Sequence, residues 1–161
     1  MLKEGLHGVV PAIVTPVDGR GEPDAGAFVE LAHWMLENGA DALNVLGTTG
    51  EATSFSRAQR LALMQAVGRS SLPHASLMVG TGAAAVNDAI AFTQAAAANG
   101  FAGALVLPPF YYKNVPEDGV VRYFDAVVNA TSSAPAPVYL YNFPALSGVA
   151  FPEAMVRRLV G

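Results

Sequence analysis

Residues 42–51, Ala42-Leu43-Asn44-Val45-Leu46-Gly47-Thr48-Thr49-Gly50-Glu51, join a short, mostly apolar run to a loop of glycine, threonine and glutamate. Ser56 then opens an amphipathic stretch, and Gln59, three residues on, completes a capping-box pattern. Leu61, Leu63, Met64 and Val67 follow at helical spacing. The same unit of run, loop and helix repeats on both sides. Upstream, the run Gly8–Val14 ends at Thr15-Pro16. Asp24 caps a predicted helix with Phe28, Leu31, Ala32, Met35 and Leu36 on one face, closed by Gly39. Downstream, the run Ala75–Val79 leads to Gly80-Thr81-Gly82 and a predicted helix over 84–98. The run Ala102–Leu107 stops at Pro108-Pro109 and precedes a helix over 117–130, with Val120, Val121, Phe124 and Val127 inward. A fifth run, Pro137–Tyr141, follows the linker at 131–137, and Pro152 starts a last helix.

Short apolar runs alternating with longer helices imply βαβ units and a parallel sheet, so the fold class is α/β. Two architectures fit five such units in line: a doubly wound open sheet and a (β/α)8 barrel, which typically needs about 250 residues. Composition agrees with strands buried on both faces: 161 residues, 52% hydrophobic, 14% charged, with mean hydropathy +0.36. The N-terminal MLKEGLHGVV has no long apolar core and does not read as a signal peptide. No apolar run is long enough to span a bilayer, so no membrane partner is expected. There are no cysteines, hence neither disulfides nor thiolate chemistry, and a cytoplasmic setting is expected. A net charge of −4 with two lysines, Lys3 and Lys113, argues against nucleic acid as a partner.

No GxGxxG follows the first run and no GxxxxGK[ST] occurs, so nucleotide binding has little support. His7, His33 and His74 are scattered away from ligand spacing; neither a metal nor another cofactor is expected. Two loops carry more. In Gly47-Thr48-Thr49-Gly50-Glu51 the glycines permit a tight turn, and threonine hydroxyls join exposed N–H groups in a nest suited to a small carboxylate. The same loop is also readable as a polar turn whose hydroxyls cap local backbone. In Tyr139-Leu140-Tyr141-Asn142-Phe143-Pro144 a strand end puts a phenol at the rim of the sheet. There it can relay protons, or simply cover the core with its hydroxyl wetted.

Taken together, these segments resemble the dihydrodipicolinate synthase / N-acetylneuraminate lyase family of class I, pyruvate-dependent aldolases. The motifs are Gly8–Pro16, GTTGE at 47–51, GTG at 80–82, Pro108-Pro109-Phe110-Tyr111-Tyr112, and Tyr141-Asn142-Phe143-Pro144. They occur in the family's order, each at the end of a predicted strand, and cover essentially the whole chain. The resemblance implies a TIM barrel, here residues 1–161 as the N-terminal part of a single domain. That part holds strands one to five, about five βα units, with the C-terminal strands absent.

The resemblance also implies a chemistry. Family members join pyruvate or another 2-keto acid to a lysine as a Schiff base. Tyr141 is then the expected general acid/base. Thr48 links it to a second tyrosine from a neighbouring subunit, Tyr111 or alternatively Tyr112. Thr49 and its N–H hold the carboxylate, with Gly47 letting the chain approach, and Glu51 holds the loop. The family's lysine sits at the end of strand six, beyond Gly161, and neither Lys3 nor Lys113 is placed to replace it. The chain alone is therefore expected to be inactive. Its full-length form is expected to be a lyase and a homo-oligomer, dimer or tetramer. Where the family's 4-hydroxy-tetrahydrodipicolinate synthase branch has an arginine two residues after the YNxP proline, this chain has Leu146. PALSG at 144–148 is closer to the N-acetylneuraminate lyase branch, whereas GTTGE departs from it. The mixture is most like a 2-keto-3-deoxy sugar-acid aldolase. A reading of another class is an inactive fragment, or a non-catalytic half-barrel that only associates with partners through its sheet edges.

Overall fold

A computed structural model describes residues 6–133 and 136–160; Lys3 lies outside them. Four strands form one parallel sheet: β1 (Leu43–Val45), β2 (Leu77–Gly80), β3 (Gly103–Val106) and β4 (Val138–Leu140). Their spatial order is β1-β2-β3-β4, the order of the sequence. The register pairs Val45 with Val79, Val79 with Ala104, and Leu105 with Tyr139.

The predicted first strand is the main difference. Residues 8–14 run beside β1 but pair with it through a single parallel bridge, Ala12 to Asn44. Ile13 N–H donates to the Asn44 carbonyl at 3.2 Å, and Asn44 N–H donates to that of Pro11 at 2.9 Å. Pro11 has no N–H of its own, so a regular ladder does not extend along the segment. The expectation of five strands is met by four strands and this bridged edge segment.

The helices are α1 (Ala25–Glu37), α2 (Arg57–Gly68), α3 (Val86–Ala98), α4 (Glu117–Ala130), α5 (Pro144–Ser147) and α6 (Glu153–Val160). Asp24 caps α1 by accepting from Ala27 N–H at 3.0 Å. The capping box of α2 is complete: the Gln59 side chain accepts from Ser56 N–H at 2.8 Å, and Ser56 Oγ accepts from Gln59 N–H at 3.3 Å. Each cap supplies an acceptor to an N–H with no partner inside the helix. The helices pack in chain order, α1 on α2, α2 on α3, α3 on α4 and α4 on α6. Arg158 fastens α6 to α4 through Glu117 and Asp118, at 3.1 and 2.7 Å, and holds the Asp118 carboxyl below the usual carboxylate range.

Strands and helices thus follow one another around the same arc. A doubly wound sheet reverses its strand order and places helices on both faces. Neither feature is present among the described residues, and the arrangement is that of part of a (β/α)8 barrel. The core lies between sheet and helices: Phe28, Leu43, Val45, Met64, Val67, Leu77, Val79, Phe92, Val106 and Phe124 are buried.

Candidate functional site

A cavity of about 220 Å³ lies where the C-terminal ends of all four strands converge. Leu46, Gly47 and Thr48 line it from the loop after β1, and Gly80 and Gly82 from the end of β2. Leu105, Leu107 and Phe110 line it from β3 and the loop beyond, and Tyr141 and Leu146 from the segment after β4. Ala52 and Thr53 complete the wall. None of these residues carries a charge, so an anionic ligand would be held here by N–H groups and hydroxyls.

The loop 47–51 is built to leave such donors free. Glu51 N–H donates to the Thr48 carbonyl at 3.1 Å, and Ala52 N–H to that of Gly47 at 3.4 Å. Thr15 Oγ1 donates to the Gly50 carbonyl at 2.8 Å. The carbonyls are tied back, while the N–H groups of Thr48 and Thr49 donate to no acceptor among the described residues. A Cβ at Gly47 would lie 2.5 Å from the Nδ2 of buried Asn44, so a larger residue there would have to displace that amide. Glu51 sits in the left-handed region at φ 50 and accepts from Ser54 Oγ at 3.4 Å. It stays within the turn, and the start of α2 is capped by Ser56 instead.

The structure brings together Gly47, Thr48 and Tyr141, which come from widely separated parts of the sequence. Tyr141 is half-buried and stacks on Phe143 at 5.8 Å between ring centroids. Its N–H donates to the Val106 carbonyl at 3.0 Å, anchoring it to β3. No hydrogen bond joins the Thr48 and Tyr141 hydroxyls among the described residues. Thr49 is exposed and does not line the cavity. Tyr111 and Tyr112 are 73% and 75% exposed, packed edge to face at 5.1 Å, and do not line it either.

The GTG loop is held from behind by side chains that the sequence reading passed over. Buried Arg60 of α2 donates from Nη2 to the Gly80 carbonyl at 3.0 Å and lies over the Phe92 ring at 3.8 Å. Burial pushes its guanidinium down to about 10, so it remains a cation at neutral pH. Buried Thr93 donates its hydroxyl proton to the Ala89 carbonyl at 2.8 Å and accepts from the Thr81 hydroxyl at 2.9 Å. The Tyr123 hydroxyl donates to the Ala83 carbonyl at 2.8 Å and accepts from Ala83 N–H at 3.3 Å. Burial pushes this phenol up to about 12, which keeps its proton in place for the donated bond. A signal for two of the three was present. Arg60 stands at the i position of the stripe Leu63, Met64, Val67, and Tyr123 at i+3 of Val120, beside Phe124 and Val127.

Comparison with known proteins agrees with this geometry. The model of the dihydrodipicolinate synthetase family matches residues 5–161. A 4-hydroxy-tetrahydrodipicolinate synthase of Synechococcus sp. (strain CC9605) is 39% identical over 152 residues, which are 94% of this chain and 49% of that protein. Among solved structures, dihydrodipicolinate synthase from Agrobacterium tumefaciens str. C58 superposes with a TM-score of 0.87 at 28% identity, covering 94% of this chain and 53% of that one. A prophage protein of the dihydrodipicolinic acid synthase family from E. coli K12, solved in complex with pyruvate, gives 0.82 at 31% identity, covering 94% and 50%. A variant of Sulfolobus solfataricus 2-keto-3-deoxygluconate aldolase gives 0.84 at 25%, covering 95% and 50%. The chain spans about half the length of the curated relatives it matches. With the strand order, the convergent loops and the family match all in agreement, this chain belongs to the dihydrodipicolinate synthetase family.

Proposed function

We propose that the full-length protein is a class I lyase that takes pyruvate or another 2-keto acid as a Schiff base, most like a 2-keto-3-deoxy sugar-acid aldolase. The observation that carries this is one cavity lined by Gly47, Thr48 and Tyr141, beside free N–H groups of a tight loop. In this reading Tyr141 moves the proton at the reacting carbon. Thr48 orders it together with Tyr111 of a neighbouring subunit, an exposed ring able to reach outward from its loop. The N–H groups at Thr48 and Thr49, with the Thr49 hydroxyl, take the carboxylate. Thr49→Val is expected to weaken 2-keto acid binding by about 1.5–3 kcal/mol, the range for a hydrogen bond to a charged group. Titration with pyruvate measures this, and an unchanged Kd removes Thr49 from the site.

The aldolase branch is preferred because Leu146 lines the cavity where the synthase branch carries an arginine. An apolar wall suits an uncharged sugar chain better than a second carboxylate. The names of the curated relatives favour the second reading, a 4-hydroxy-tetrahydrodipicolinate synthase. Cleavage of 2-keto-3-deoxygluconate by the full-length protein supports the first; its absence alongside synthase activity supports the second.

No lysine within these residues is proposed as the nucleophile. The Lys113 ammonium is engaged by backbone carbonyls, and the Schiff-base lysine is expected from sequence beyond residue 161. Pyruvate followed by borohydride tests this. The full-length protein is expected to gain one pyruvyl group in the mass spectrum, and the 161-residue chain none. An adduct at Lys3 or Lys113 would overturn the assignment. A full-length protein without an adduct removes the class I reading and leaves a non-catalytic association module.

A further inference from the structure

We propose that Lys113 is a positioning residue: its ammonium clasps the loop after β3 to the end of α5, and so fixes Phe110 and Leu146 relative to one another in the cavity wall. Lys113 Nζ donates to three backbone carbonyls, those of Phe110 at 2.6 Å, Leu146 at 3.3 Å and Ser147 at 3.4 Å. An ammonium has three N–H donors, and three acceptors use them all. Two of the acceptors are at the C-terminal end of α5, where carbonyls have no partner inside the helix. Two of the three, Phe110 and Leu146, belong to residues that line the cavity, one from each of the two loops.

Gly148 makes room for the clasp. It caps α5 in the left-handed region at φ 72, and a Cβ there would lie 3.0 Å from Lys113 Cδ. The two loops are 33 residues apart in sequence at the Lys113–Leu146 contact and share no strand. The tyrosine pair 111–112 lies between Phe110 and Lys113, so the clasp also fixes the base of the loop that presents those rings. Lys113 touches no reacting atom; it acts by holding the wall that the distal end of the substrate meets. This consequence for substrate rests on the aldolase reading, whereas the clasp itself does not.

The test uses the full-length product of the reading frame and the variants Lys113→Met and Lys113→Arg. Methionine keeps an unbranched stem and removes the donors. Amide hydrogen exchange is expected to quicken at least about ten-fold in Lys113→Met at peptides covering both 110–116 and 144–149, because all three charge-assisted bonds are lost and one alone is worth about that much. Exchange in β1 to β3 is expected to stay unchanged, and Lys113→Arg to restore part of the protection. For 2-keto-3-deoxygluconate cleavage, KM is expected to rise about ten-fold in Lys113→Met, with kcat and the borohydride-trapped pyruvate adduct within two-fold of the parent. Unchanged exchange at 144–149 overturns the clasp. Exchange that quickens throughout the sheet, or a KM that does not move while the loops loosen, overturns its positioning role. Exchange does not depend on activity. A parent that traps no pyruvate therefore defeats the lyase reading, and the clasp is then decided by exchange alone.

Discussion

Replacing Tyr141 by Phe in the full-length protein is expected to lower turnover by about 10²–10⁴-fold, the usual worth of a positioned acid/base. The substitution removes one hydroxyl and keeps the ring. The stacking on Phe143 and the backbone bond to Val106 do not depend on that hydroxyl. Stability and the cavity shape should therefore persist, and the loss should fall on kcat. The pyruvate adduct should still be trapped by borohydride, more slowly if imine formation uses the same proton. Steady-state kinetics with a folding control by near-UV circular dichroism separates the two effects. A variant with more than a tenth of parental turnover removes Tyr141 as the proton carrier. The cavity would then supply binding and orientation only.

Phe92→Ala is expected to destabilise the fold by about 3–5 kcal/mol, the range for removing a buried aromatic ring. Phe92 is 2% exposed and lies between the sheet and the helices, with the Arg60 guanidinium 3.8 Å above its ring. Truncation leaves a cavity and uncovers a buried cation whose Nε already has no hydrogen-bond partner. Arg60 in turn holds the Gly80 carbonyl, and Gly80 lines the candidate cavity. The effect should therefore reach the site: the pyruvate Kd should rise together with the loss of stability. Urea unfolding gives the first quantity from the shift in midpoint at constant slope. A loss under about 1 kcal/mol would mean that the ring is replaced by relaxation of its neighbours, and that the Arg60 contact contributes little.

Much of this was legible in the chain itself. Helix starts came through because their caps are local. Asp24 and Ser56 with Gln59 need only the next three residues to act, and α4 spans the predicted 117–130. The parallel βα alternation was readable because strands buried on both faces give short apolar runs. The choice of a barrel over an open sheet was not readable from periodicity, since both use the same runs and the same helices. The family motifs pointed to the barrel, and the observed order β1-β2-β3-β4 with one layer of helices agrees. Residues 8–14 form no regular strand. Their composition is that of a strand, but Pro11 limits them to one bridge.

What the sequence by itself determined, then, is the set of elements, their caps and the loops able to carry chemistry. Each of these depends on neighbours a few positions away. Only the tertiary structure decided which loops share a cavity. Thr48 and Tyr141 line one cavity and Tyr111 does not, because strand order, not sequence spacing, determines which C-terminal ends converge. It also decided which backbone group satisfies Arg60 and Tyr123, each of which finds its partner on another element. A polar side chain on a helix reads as solvent-facing until the group that satisfies it is known, and that group lies 20 residues away for Arg60 and 40 for Tyr123.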